Sequence, residues 1–268
     1  MIKITFPHGT RLSGEQLARC ERTLANLVTN LSGNFDITGL TEISVVENIA
    51  TPHKGEFIAA GEVLTIYGDT IEYKMQVVGT IFDPRLIGNK QAFCEFTHML
   101  HHELAHIHDH NKIVHIYKER ELLKEELTQE NVMWEFTLKI WSEFIATLLS
   151  SIQNARFRIE HNIAQLNQLY EEYCVTEENK NRFALAADMI CYMAYLLGDI
   201  LNHESLSEEI SSKIDVGEFA PLFEQLFDEL QSLLVTYPNW ENIFELSKLK
   251  DIIQQIANMP YNKGGEHL

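Results

Sequence analysis

The chain changes rhythm at about residue 91: beyond it, apolar residues recur at three- and four-residue intervals, and before it they sit in short runs or strict alternation. The exception in the first part is a helix opened by Ser13-Gly14-Glu15-Gln16. In it Leu17, Cys20, Leu24, Leu27 and Val28 share a face, and Ser32-Gly33-Asn34 closes it. Three strands follow, over 43–46, 63–67 and 71–77. In the last, Ile71, Tyr73, Met75 and Val77 alternate with Glu72, Lys74 and Gln76, the pattern of a half-buried antiparallel strand. Gly68-Asp69 joins it to its predecessor as a two-residue hairpin connection. Helices are predicted over 91–109, 113–127, 131–152, 155–174, 180–202, 219–236 and 240–257, with breaks at Asn111, Thr128, 177–179, Gly217 and Pro238-Asn239. The pattern predicts an α+β fold, mostly α, with a small N-terminal antiparallel or mixed sheet. Residues 1–154 would form the sheet-bearing core, and 155–268 a helical C-terminal region packed on it. The tail from Asn262 carries no signal.

Composition narrows the partners. With 268 residues, 45% of them hydrophobic, the chain can bury an ordinary globular core. Its net charge is −18, and −6 even with all twelve histidines protonated, so phosphate neutralisation cannot drive binding. Neither nucleic acid nor an anionic membrane is an expected partner. The longest apolar stretches, 189–198 and 144–149, are about half the ~20 residues a bilayer demands, so no membrane span is expected. Residues Met1 to His8 lack the apolar run and cleavage site of a secretory signal, and the chain reads as cytoplasmic. Cys20, Cys94, Cys174 and Cys191 lie too far apart for a C-x-x-C pair and read as reduced, buried thiols.

The chemistry is concentrated between Thr97 and His110, which holds His102-Glu103-Leu104-Ala105-His106, an H-E-x-x-H pattern. On a helix, residues four apart lie one above the other, so both imidazoles can reach one cation, and the carboxylate after the first can handle a water on it. The context supports the pattern. Phe93, Phe96, Leu100, Leu104 and Ile107 form one stripe, while His98, His102, His106 and His110 form a ladder opposite. Of the three His pairs in the ladder, only 102/106 has a carboxylate directly after its first member. His102 and His106 are therefore the metal ligands of choice and Glu103 the general base. His98, His101, His108 and His110 are expected to serve structure.

A catalytic zinc site needs a third protein ligand. The longer H-E-x-x-H-x-x-G-x-x-H pattern is excluded, since position 109 is Asp and position 112 is Lys. Asp109 itself is cramped against His106 on the same helix. The stronger candidate is Glu143, projecting beside Ala146, Thr147 and Ser150 and away from the stripe Trp134, Leu138, Trp141, Ile145, Leu148 and Ile152. Its small neighbours would let a metal-bearing helix approach. Glu126, Glu130, Glu135 and Glu160 are rivals.

The string His102-Glu103-Leu104-Ala105-His106 followed by Glu143-x-x-Ala146 resembles the gluzincin metallopeptidases, and among them the cytoplasmic ImmA/IrrE-like peptidases of bacteria and their mobile elements. The resemblance spans roughly residues 60 to 150. It implies a zincin-like core, zinc (Zn2+) on His102, His106 and Glu143, and Glu103 as the base that activates a zinc-bound water. Thirty-seven residues separate His106 from Glu143, a longer spacing than is usual in that subgroup. The resemblance also implies an extended protein or peptide substrate along an edge strand above the motif helix, here 71–78. An oxyanion stabiliser would come from His115, Tyr117, Tyr170, Tyr173 or His203. The leading expectation is thus a zinc metallopeptidase. Its alternative is a zinc-stabilised binding or regulatory protein with a degenerate peptidase site, and a third, weaker reading is a non-proteolytic zinc hydrolase.

Overall fold

The computed structural model describes residues 2–6, 13–46, 61–78, 89–123, 128–150, 155–203 and 213–259. Pro7-His8, Glu126, Ile152 and the tail from Asn262 lie outside them. The chain divides into two compact units, Met1–Lys112 and Ile113–Leu268.

The first unit runs β1 (Lys3–Thr5), α1 (Gly14–Ser32), β2 (Leu40–Val46), β3 (Gly61–Tyr67), β4 (Ile71–Val78) and α2 (Lys90–Lys112). Helix α1 begins where the sequence predicts, because Ser13 and Gln16 cap each other. The Ser13 Oγ accepts the Gln16 N–H at 3.3 Å, and the Gln16 Oε1 accepts the Ser13 N–H at 2.8 Å. The sheet order is β1-β2-β4-β3, with β1, β2 and β4 mutually parallel and β3 antiparallel to β4. It is a mixed sheet.

Two expectations about this sheet need correction. Strand β4 is not an edge, since β2 and β3 flank it; among the described residues the edge beyond β4 belongs to β3. The alternation that marks β4 reports one buried face and is silent about its neighbours. The hairpin is also longer than a two-residue turn. Tyr67 pairs with Ile71, so Gly68, Asp69 and Thr70 all lie in the connection. Strand β1 has no sequence signal of its own, being three residues long; it forms by pairing with β2, where Lys3 meets Glu42 at 3.6 Å and the Thr5 and Ser44 hydroxyls lie 2.9 Å apart.

One face of the sheet supplies Ile43, Val45, Tyr73, Met75 and Val77 to a core shared with Leu24 and Val28 of α1 and Phe96, Leu100, Leu104 and Ile107 of α2. The other carries Glu42, Ser44 and Lys74, with Lys74 and Glu42 3.9 Å apart. The motif helix is thereby laid on the apolar face, under β3 and β4.

The second unit is helical: α3 (Val114–Leu123), α4 (Gln129–Ser150), α5 (Ala155–Val175), α6 (Asn179–Asn202), α7 (Ala220–Thr236) and α8 (Ser247–Ala257), with single 3-10 turns at Gly217–Phe219 and Ile243–Leu246. The helix predicted over 240–257 is that second turn followed by α8. Helix α6 packs against both α4 and α5. It approaches α4 tightly at Gly198, where a Cβ would lie 2.8 Å from the Phe144 carbonyl oxygen and 2.9 Å from the Thr147 Cβ. Aromatic rings fill the core around α4, with Trp141 and Trp240 centroids 4.6 Å apart and Trp141 and Tyr237 5.3 Å apart.

Over Asn181–Asn202, α6 is long and apolar enough to cross a membrane by length and composition, and half of that window is buried inside the protein. The uninterrupted apolar run is shorter because Asp188 and Asp199 bound it. The helix continues through Asp199, whose carboxylate is buried against Arg158 at 2.6 Å.

Candidate metal centre

Helix α2 brings His102, Glu103 and His106 into one turn. Both histidines are half-buried, and Glu103 is 7% exposed. The two Nε2 atoms lie 3.0 Å apart, with the rings at 88° to each other. Imidazole nitrogens at that separation share either one proton or one cation. Two ligands of a tetrahedral zinc stand roughly 3.3 Å apart, so the pair fits the ion with almost no adjustment.

Strand β3 crosses this turn at its first residue. A Cβ built on Gly61 would lie 2.6 Å from the Glu103 Cγ, 2.7 Å from its Oε1 and 2.7 Å from the Met99 Sδ. Sequence reasoning begins this strand at Val63 and passes over Gly61. The only available signal is a glycine at the mouth of a strand, which often marks a close backbone approach.

Three other α2 histidines, His101, His108 and His110, have structural work. His101 and His108 both stack on Phe35, with ring centroids at 4.9 Å and 5.0 Å. The His108 Nδ1 accepts the Asp36 N–H at 2.7 Å, and burial, then the nearby Lys112 charge, holds its pKa below the usual histidine value. His110 is buried, with its Nε2 2.8 Å from the Tyr67 hydroxyl and its Nδ1 2.7 Å from the Tyr73 hydroxyl. Tyr73 donates onward to the Asn111 Oδ1 at 2.6 Å, and the Asn111 amide donates to the Asp36 and Thr38 carbonyls at 3.0 Å each. One assignment satisfies the whole row: Tyr67 donates to the Nε2, and the Nδ1–H donates to Tyr73. Burial pushes the Tyr73 hydroxyl pKa well up.

His110 therefore does not belong to a ligand-facing ladder. Each four-residue step on an α-helix advances 400°, a net drift of about 40°, so three steps from His98 carry His110 about 120° round towards the sheet. Asp109 is fully buried. At the other end of the expected apolar stripe Phe93 is exposed, leaving Phe96, Leu100, Leu104 and Ile107 to pack.

Glu143 lies in the second unit, half-buried on α4. Its three described rivals make ion pairs: Glu130 with Lys250 at 3.2 Å, Glu135 with Arg120 at 3.5 Å and Glu160 with Arg156 at 3.1 Å. The small residue at 147 has an explanation other than a metal-bearing neighbour, because Gly198 of α6 fits against it. The five oxyanion candidates also lie in this unit. The His115 Nε2 is 2.7 Å from the Trp240 carbonyl oxygen, and Tyr173 donates to the Met259 carbonyl at 3.1 Å while the Arg182 guanidinium sits 4.1 Å from its ring centroid. Tyr170 lies against Gly217, and burial pushes its hydroxyl up to about 12. Tyr117 is buried, and His203 follows the end of α6.

No family model, curated protein or solved structure matches the chain. The functional reading rests on the residues and their geometry.

Proposed function

We propose that the protein is a cytoplasmic zinc metallopeptidase of the gluzincin type, with a zincin-like core, hydrolysing a peptide bond in a protein or peptide. The observation that carries this reading is the pair of imidazole Nε2 atoms 3.0 Å apart, with the buried Glu103 in the turn between their residues. His102 and His106 supply two ligands, and Glu143 supplies the third on the strength of the motif resemblance. Three protein ligands leave a coordination position for water. A bound zinc ion lowers the pKa of that water to about 7 and polarises the scissile carbonyl.

Glu103 accepts the proton as the nucleophile forms and delivers it to the departing amine. An extended substrate adds to the outer edge of β3, where backbone hydrogen bonds hold it without demanding a particular sequence. The net charge of −18 disfavours polyanionic ligands.

The test is metal analysis of the purified protein by mass spectrometry, followed by the Glu103→Gln variant assayed on casein and a mixed peptide library. One zinc per chain is expected in both proteins, with turnover in the variant reduced roughly 10²- to 10⁴-fold. A variant as active as its parent removes Glu103 from the chemistry, and a protein that takes up no zinc ends the proposal. Zinc without hydrolysis, together with a melting temperature that falls whenever His102→Ala removes the metal, would favour the zinc-stabilised binding protein instead.

A further inference from the structure

We propose that Gly61 is the positioning residue of the general base: the bare Cα at the start of β3 sets the rotamer of Glu103. This inference rests on the peptidase reading for its functional meaning, though not for its geometry. A Cβ at position 61 would come within 2.6 Å of the Glu103 Cγ and 2.7 Å of its Oε1, closer than non-bonded carbon atoms approach. The Cγ is in the middle of the side chain, so the clash cannot be relieved by swinging the carboxylate alone; the upper torsions must turn. Glu103 has little room to turn, being buried with the strand backbone at Gly61 close against it. The third atom, the Met99 Sδ at 2.7 Å, lies in the outer part of a flexible unbranched chain and can move aside.

The carboxylate thus lies on the strand backbone, with its conformation selected by the absence of a side chain opposite. The same strand end is where an extended substrate would begin to pair. Position 61 therefore governs how the base is aimed at the reacting atoms, without touching them itself.

Two double-mutant cycles test this. The first is thermal and needs no metal. Gly61→Ala is made in the parent and in Glu103→Ala, whose shortened side chain vacates the contested space. The substitution lowers the melting temperature by several degrees in the parent and leaves it unchanged in Glu103→Ala. If Gly61→Ala alone fails to fold, folding of the double variant meets the same expectation.

The second cycle uses the zinc-loaded protein and acetohydroxamate, which chelates zinc and donates a hydrogen bond to a neighbouring carboxylate. Zinc stoichiometry stays at that of the parent, acetohydroxamate affinity falls about tenfold in Gly61→Ala, and the substitution adds no further loss to Glu103→Ala. Equal thermal losses in both backgrounds, or parental acetohydroxamate affinity in Gly61→Ala where Glu103→Ala is weakened, overturn the proposal. A parent that binds no zinc ends the peptidase reading, while the thermal cycle still decides whether Gly61 sets Glu103.

Discussion

Helices α2 and α4 are of nearly equal length, and both are buried along much of their surface, but they satisfy their polar residues in opposite ways. The buried polar groups of α2 include His101, Glu103, Asp109 and His110, all ionisable. The described partners of His101 and His110 lie on other segments: Phe35 for one, Tyr67 and Tyr73 for the other. Those of α4 are Thr137, Thr147 and Ser150, short hydroxyls that can bond within their own helix, as Thr137 does to the Met133 carbonyl at 2.7 Å and Ser150 to that of Thr147 at 3.4 Å. Buried ionisable groups are costly unless paired, so a helix that carries four of them depends on partners from other segments of the fold. On α4 the ionisable Glu143 stays half-exposed, and the packing is left to apolar residues and hydroxyls.

That contrast can be broken first at the proposed zinc site. His102→Ala should lower zinc affinity more than roughly a hundredfold, since losing a ligand costs more than losing a residue that merely orients one. Glu143→Ala should behave alike, whereas Glu135→Ala and Glu160→Ala should leave the constant unchanged; competition against a chromophoric chelator reads all four. Next comes Trp141→Ala, which empties a fully buried site on α4 and is expected to cost about 3–5 kcal/mol in chemical denaturation. A loss below about 1 kcal/mol would mean that α4 is not the centre of its core.

Smaller effects sharpen the α2 side. His110→Phe takes one hydrogen-bond partner from the buried Tyr73 and one from the more exposed Tyr67 and should cost about 1–3 kcal/mol, while His101→Phe keeps its stack on Phe35 and should stay within about 1 kcal/mol of the parent. Equal losses would show that the Tyr-His-Tyr row contributes nothing. The smallest effect is at Asp36, whose carboxylate is held below its usual range by hydrogen bonds from the Thr38 side chain and backbone, the backbone N–H donating at 3.1 Å. A carboxyl with a lowered folded-state pKa stabilises fully above its unfolded value near 3.9, and that contribution disappears as pH falls through the lowered one. Asp36→Asn should therefore lower stability slightly at neutral pH and flatten the acid limb, the difference from the parent vanishing below the lowered pKa.

The local parts of this architecture are legible in the residues. Ser13 and Gln16 announce α1, the alternation from Ile71 to Val77 announces β4, and the H-E-x-x-H string places its histidines on one turn. What could not be read is whatever depends on a distant neighbour. That β3 rather than β4 lies at the edge among the described residues follows from β2 pairing with β4 across some thirty residues. The fate of His110 was decided by Tyr67 and Tyr73, about forty positions earlier. A helical wheel registers spacing but cannot say which direction the sheet will come from. Gly61 was missed for the same reason, since its meaning lies in an atom of Glu103.

The seam between α4 and α6 has a mechanical consequence. Where two helices meet through backbone at Gly198, their spacing is set by a hard stop rather than by a cushion of side chains. Phe144, which forms that stop, follows Glu143 directly. A methyl group at 198 would act as a wedge beneath the rung next to Glu143, so the local spacing of that rung from α6 is fixed by a residue with no side chain.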